Sequence, residues 1–178
     1  MRWLRRLLVF AGVLSGLWYC RGWVFRNVVH YHIVGVRGEV EPVQSAPGPV
    51  DGIDEAIYLA LDTTAARLHF STGRVSNDPH KLNAGSPANC VGYAKLCAAF
   101  IQGHVVRSGI RGRFVVEPVV AKLFIGDFDI HGLSRDPFWK DHDVVRVREL
   151  DGDRVIYFDP TLYDVVGIDR IRGIEHGR

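Results

Sequence analysis

The chain has 178 residues, 47% of them hydrophobic and 24% charged, with a formal net charge of +2. That composition belongs to an ordinary globular domain and excludes disorder and low complexity. The small net charge, with arginines gathered on no single periodic face, excludes a nucleic-acid partner.

Arg2, Arg5 and Arg6 precede an uncharged apolar run over residues 7–20, the charged and apolar regions of an export signal. Fourteen residues is short of the roughly 20 a spanning helix needs; counting on to residue 25 gives nineteen, with Arg21 snorkelling toward the interface. No small-residue cleavage site precedes Arg21, and the aromatics of Leu17-Trp18-Tyr19-Cys20 suit a lipoprotein signal poorly. Residues 1–26 therefore read as an uncleaved signal anchor in preference to a cleaved signal peptide, with a buried helix as the plain alternative. The leading arginines put the remainder outside the cytoplasm, in the periplasm if tethered and secreted if cleaved.

Residues 27–50 hold a strand-like stretch, "NVVHYHIVGVRGEVEPV", then a Pro/Gly linker, "QSAPGPVDG". A domain boundary is expected near Asp51, leaving residues 51–178, enough for one core. A helix is predicted over 51–70, with Ile53, Ile57, Ala60, Leu61, Thr64 and Leu68 on its buried face. A polar loop follows, then a second helix over 90–107 with a face of Ala94, Cys97, Ala98, Ile101 and Val105, ended by Ser108-Gly109. Four strands come next: "GIRGRFVVEPVV"; "AKLFIGDFDIHGL", with Asp127, Asp129 and His131 on one side; "HDVVRVREL", with Val145 and Val147 inward and Arg146 and Arg148 outward; and "RVIYFDPT". Asp151-Gly152 signals a two-residue hairpin between the last two. "DRIRGIEHGR" is a polar tail. Helices followed by an antiparallel meander predict an α+β fold, the helices packed on the sheet.

Three cysteines are present: Cys20 in the N-terminal segment, Cys90 and Cys97. Cys90 and Cys97 lie two helical turns apart, about 10 Å, beyond the roughly 7 Å a disulfide spans. Cys90 is thus expected to be a free thiol. Asn89 is a good N-cap, and a helix N-terminus stabilises an anion such as a thiolate. Free cysteines are also among the most buried residues, and Cys97, on the apolar face, is structural. A thiol nucleophile needs a base, and His142 opens a strand. Asp159 ends the paired strand. With Asp151 and Gly152 at the turn, paired positions sum to 303, so His142 faces Thr161 and Asp159 lies diagonally, about 7–8 Å away at the backbone and on the same face. A carboxylate there would orient the imidazole. Asp127, Asp129, His131 and Asp143 are metal-ligand types, but no short paired spacing accompanies them, and no metal or cofactor is expected. His30 and His32 read as surface residues.

"NCVGYAKLCAAFI", "SGIRGRFVV", "DHDVVRV" and "VIYFDPTLYD", in that order over roughly residues 51–164, together resemble the transglutaminase-like domain. The resemblance implies a papain-like α+β fold, with Cys90 as nucleophile, His142 as base and Asp159 as orienting acid. It implies thiol-dependent acyl transfer or hydrolysis on peptide or carboxamide substrates, possible partners being proteins or cell-envelope peptides. The oxyanion would rest on the Cys90 backbone N–H and one further donor from Asn83, Asn89 or Tyr93. Val91 stands where many relatives carry an aromatic residue, and Asp143-Val144 where Ala-Trp is common. Both departures weigh against protein cross-linking more than against thiol chemistry. The alternative is a catalytically inactive, membrane-tethered binding module of the same fold.

Overall fold

The computed structural model describes residues 2–43, 48–133, 136 and 140–175. Four helices are α1 (Arg2–Asn27), α2 (Ile53–Arg67), α3 (Cys90–Arg107) and α4 (Pro160–Val166). The strands are β1 (Val29–Val36), β2 (Leu68–Phe70), β3 (Ser86–Ala88), β4 (Phe114–Ile125), β5 (Phe128–Asp129), β6 (His142–Glu149), β7 (Val155–Phe158) and β8 (Gly173–Glu175). The main sheet runs β7-β6-β4-β1-β8, with β5 folding back on β4, and β2 and β3 pair separately. All pairs of the main sheet are antiparallel except β1 with β8. The α+β class is as expected.

Both faces of the sheet are covered. Val116, Val145, Val147, Ile156 and Phe158 pack under α3, whose small face of Ala94, Cys97, Ala98 and Ile101 is fully buried and lets the helix lie close; α2 packs beyond it. α2 buries Ile53, Ile57, Ala60, Leu61 and Thr64, the face its 3.6-residue period marks. Tyr31, Val119, Ala121, Val144 and Tyr157 face the other way, joined by Val24 and Phe25 from the end of α1. Arg146 lies among Glu117, Glu175 and Tyr157 rather than in open solvent.

Several expectations are corrected. The strand-like stretch set ahead of the domain is β1, an interior strand of the main sheet, so a boundary at Asp51 would cut through the sheet. The linker reading of residues 44–47 lies outside the described residues. The polar tail supplies β8. The first two predicted strands are one, β4, paired on both sides and ended only where Gly126, at φ +57, turns the chain into β5. Pro118 interrupts nothing: its carbonyl accepts the Arg37 N–H (3.0 Å), and the N–H it lacks falls where β1 has ended. His131 is in a 3₁₀ turn (His131–Leu133) rather than a strand, because Asp129 Oδ1 accepts its N–H at 2.9 Å. The β6–β7 register sums to 303 as predicted, but the last backbone bond joins Glu149 to Arg154. The turn therefore spans residues 150–153, and neither Asp151 nor Gly152 adopts the positive φ a two-residue turn requires.

α1 runs unbroken through the segment read as a signal. Among the described residues no helix is long and apolar enough to cross a membrane. Its C-terminal end is docked: Arg21 Nε donates to the Val166 carbonyl at the end of α4 (2.7 Å), and Arg26 lies 3.9 Å from Asp169.

Candidate active site

Cys90 is the first residue of α3. Asn89 caps the helix, its Oδ1 accepting the Gly92 N–H at 3.2 Å. The thiol thus sits where first-turn N–H groups lack helical partners. Cys90 is 7% exposed.

His142 opens β6, and Asp159 follows β7. Asp159 is also the N-cap of α4: its Oδ1 accepts the N–H groups of Thr161 and Leu162, each at 3.0 Å. Pro160, fixed at helical φ and lacking an N–H, suits the first position of that helix. The other carboxylate oxygen, Oδ2, lies 2.7 Å from His142 Nε2. The diagonal relation read from the register thus becomes a direct contact. Cys90 also lies close enough to the ring to act on it electrostatically, and both residues line the same cavity.

Burial works against a charged His142 ring, but the charge and hydrogen bond of Asp159, followed by those of Cys90, outweigh it and hold the ring well above its ordinary value. Its side chain keeps 22% exposure, while that of Asp159 keeps 2%. Tyr31, buried on β1, donates its hydroxyl to Asp159 Oδ2 at 3.2 Å; burial and then the carboxylate push its own pKa up. Sequence reasoning missed Tyr31, because β1 was assigned outside the domain. The available signal was its place on the buried alternation of "VHYHI".

Asp143 is absent from the lining of the Cys90 cavity and is 1% exposed. It pairs bidentately with Arg37, Nε to Oδ1 at 2.7 Å and Nη2 to Oδ2 at 3.1 Å. This ion pair, also unforeseen, occupies the position where relatives of the suggested family carry an apolar residue. Cys97 is fully buried, and burial, slightly offset by Thr64, pushes its thiol up to about 12.

Cys90, His142 and Asp159 line one cavity of about 700 Å³, together with Tyr31, Thr161 and several apolar side chains. The suggested oxyanion side chains are not among its lining. The Tyr93 hydroxyl donates to Asp164 at 2.6 Å, leaving it no proton for an oxyanion. Asn83 lines a different cavity with Glu41 and His80. Asn89 is nearest in sequence, and the cap engages its carbonyl oxygen, not the side-chain N–H groups that would donate. Among the described residues no three His, Cys, Asp or Glu side chains gather as metal ligands; Asp127, Asp129 and His131 lie along the β5 hairpin and its turn.

A thiol, an imidazole and a carboxylate bordering one cavity, with the carboxylate on the imidazole, are a set that can attack an acyl carbon and protonate a leaving group. Comparison of the chain with family models, with curated proteins and with solved structures found no match.

Proposed function

We propose that the protein catalyses thiol-dependent acyl transfer or hydrolysis. The carrying observation is the 2.7 Å contact of His142 Nε2 with Asp159 in the cavity that Cys90 also lines. In the proposed reaction the Cys90 sulfur bonds to a carbonyl carbon, and the oxyanion leans on the first-turn N–H groups of α3. As the bond to the leaving group breaks, His142 gives it a proton. Water or an amine then attacks the thioester, passes its proton to His142, and frees the thiol. Asp159 keeps the ring in place throughout.

The resemblance to transglutaminase-like domains supports this reading, as does a cysteine at the start of a helix packed on an antiparallel sheet. α1 supports a membrane tether: Leu7, Val9, Phe10, Val13, Trp18 and Tyr19 are all exposed on a stretch without charge, and a helix apolar all round requires burial. We place the site on the extracytoplasmic side, since Arg2, Arg5 and Arg6 lead the helix.

The test is an activity-based thiol-reactive probe on the folded chain, followed by peptide mass mapping. Modification of Cys90 that disappears in His142→Ala is expected. A folded protein in which Cys90 resists the probe would overturn the proposal and leave a tethered binding module.

A further inference from the structure

The cavity around Cys90 has walls of one character. Phe25 comes from the last turn of α1, Phe70 from β2, Leu123 from β4, Leu162 and Val165 from α4, and Leu133 stands at the rim. Leu133 is 70% exposed, Val165 61% and Phe70 37%, so the apolar surface continues out of the cavity to the solvent. Its volume of about 700 Å³ falls within the roughly 300–1,000 Å³ of pockets that enclose a small ligand.

Polar partners are few. The Tyr31 hydroxyl is committed to Asp159, and outside the Cys90–His142–Asp159 set the wall offers His131, Asp141 and Thr161. A peptide buried there would lose water from many N–H and C=O groups and find little to replace it. Among the described residues no lysine or arginine lines the cavity to attract an anion. The wall therefore suits an uncharged, apolar, flexible group.

Building on the thiol chemistry proposed above, we infer that the acyl half of the substrate is a long aliphatic chain, carried as an amide or ester. The chain lies along Phe25, Leu123 and Leu162 with its carbonyl at Cys90. The Cys90 sulfur forms a thioester as the C–N or C–O bond breaks, and the departing amine or alcohol takes its proton from His142. Water then releases the fatty acid and restores the thiol. Phe25 sets this wall beside the helix proposed to meet the membrane, where such chains are supplied.

The test uses the full chain in nanodiscs and p-nitrophenyl esters of straight-chain acids from acetate to laurate, each below its micelle concentration. Acylation of Cys90 is followed by intact mass and peptide mapping. The rate should rise about fourfold per methylene, equivalent to about 0.8 kcal/mol at 1.4 kcal/mol per tenfold, until the chain outgrows the cavity. The paired rim substitutions Leu133→Asp and Phe70→Asp, measured in the same discs so that partitioning cancels, should flatten that slope. Cys90 acylation that ignores chain length, a slope unchanged by the rim substitutions, or faster turnover of a capped peptidyl ester than of laurate would overturn the inference and leave the thiol chemistry standing. Failure of every ester, acetate included, to acylate Cys90 would overturn the thiol reading and the inference with it.

Discussion

Tyr31 and His142 share one acceptor: both contact Oδ2 of Asp159, at 3.2 Å and 2.7 Å, from the two strands that flank β4. The carboxylate therefore makes four contacts, two through each oxygen, and none of its lone pairs needs water. Tyr31→Phe should leave the fold intact and lower stability by about 1 kcal/mol, the usual net value of one hydrogen bond, read from urea melts. Activity should fall less than in Asp159→Asn, because the charge that holds His142 remains.

Asp159 has two separable duties. Asn caps helices nearly as well as Asp, so Asp159→Asn should keep the α4 cap while removing the charge. Asp159→Ala loses both and should be less stable than the Asn variant by about 0.5–2 kcal/mol, the range for a lost cap. Activity should collapse similarly in both. Equal stability of the two variants, compared by denaturant titration, would argue that the cap contributes nothing.

The His142 ring carries a pH signature. Burial opposes its charge, yet Asp159 and Cys90 hold its value above the ordinary figure of about 6.5. A value raised by folding stabilises the native chain fully below the unfolded value, and this is lost as pH rises through the folded one. The stability gap between the native chain and His142→Gln should be widest in mild acid and narrow on the alkaline side. Nuclear magnetic resonance titration should show the ring moving down in Asp159→Asn, the variant that removes the charge opposing burial.

The thiols should divide by position. Cys97 is fully buried, its thiol pushed up to about 12, and should react with iodoacetamide only after unfolding. Cys90, beside the imidazole, should react in the native protein, and more slowly in His142→Ala. Cys20 is exposed and will also label, so the result must be read by peptide mapping rather than by thiol count.

Arg37 and Asp143 test a buried charge. Removing one partner of a buried pair leaves the other uncompensated, at about 3–5 kcal/mol; the 37% exposure of Arg37 brings the expected loss for Arg37→Leu to the low end or somewhat below. Asp143→Asn in the same chain should recover part of it. Additive losses in that double-mutant cycle would show that the pair is not coupled.

What was legible in the sequence follows from locality. α3 begins and ends where Asn89 and Ser108-Gly109 signal, and α2 buries the face its period marks, because helix signals lie within a few residues of one another. The His142–Asp159 relation was legible because one short turn fixes the register, and two- and four-residue turns centred on the same point give the same sum. The strand character of β1 was legible, but its place inside the sheet, the Tyr31–Asp159 contact and β8 were not, since their partners lie far along the chain. That the stretches read as two strands form one, β4, was not legible, since neighbouring strands on both sides hold it continuous. The second oxyanion donor depended on where side chains finally point, which spacing does not encode.

The position of β1 between β4 and β8 also sets the order of assembly. β1 is the earliest strand to emerge during synthesis, yet its partners are residues 119–125 and, last, 173–175. Its pairings are among the most non-local in the molecule, and closing such loops is slow compared with forming α2 or α3. A nascent chain can therefore build its helices early while Tyr31 waits for Asp159. The corner of Tyr31, His142 and Asp159 cannot close until residue 159 has been made, so a chain stalled before His142 would hold Cys90 with no His142 imidazole set near it.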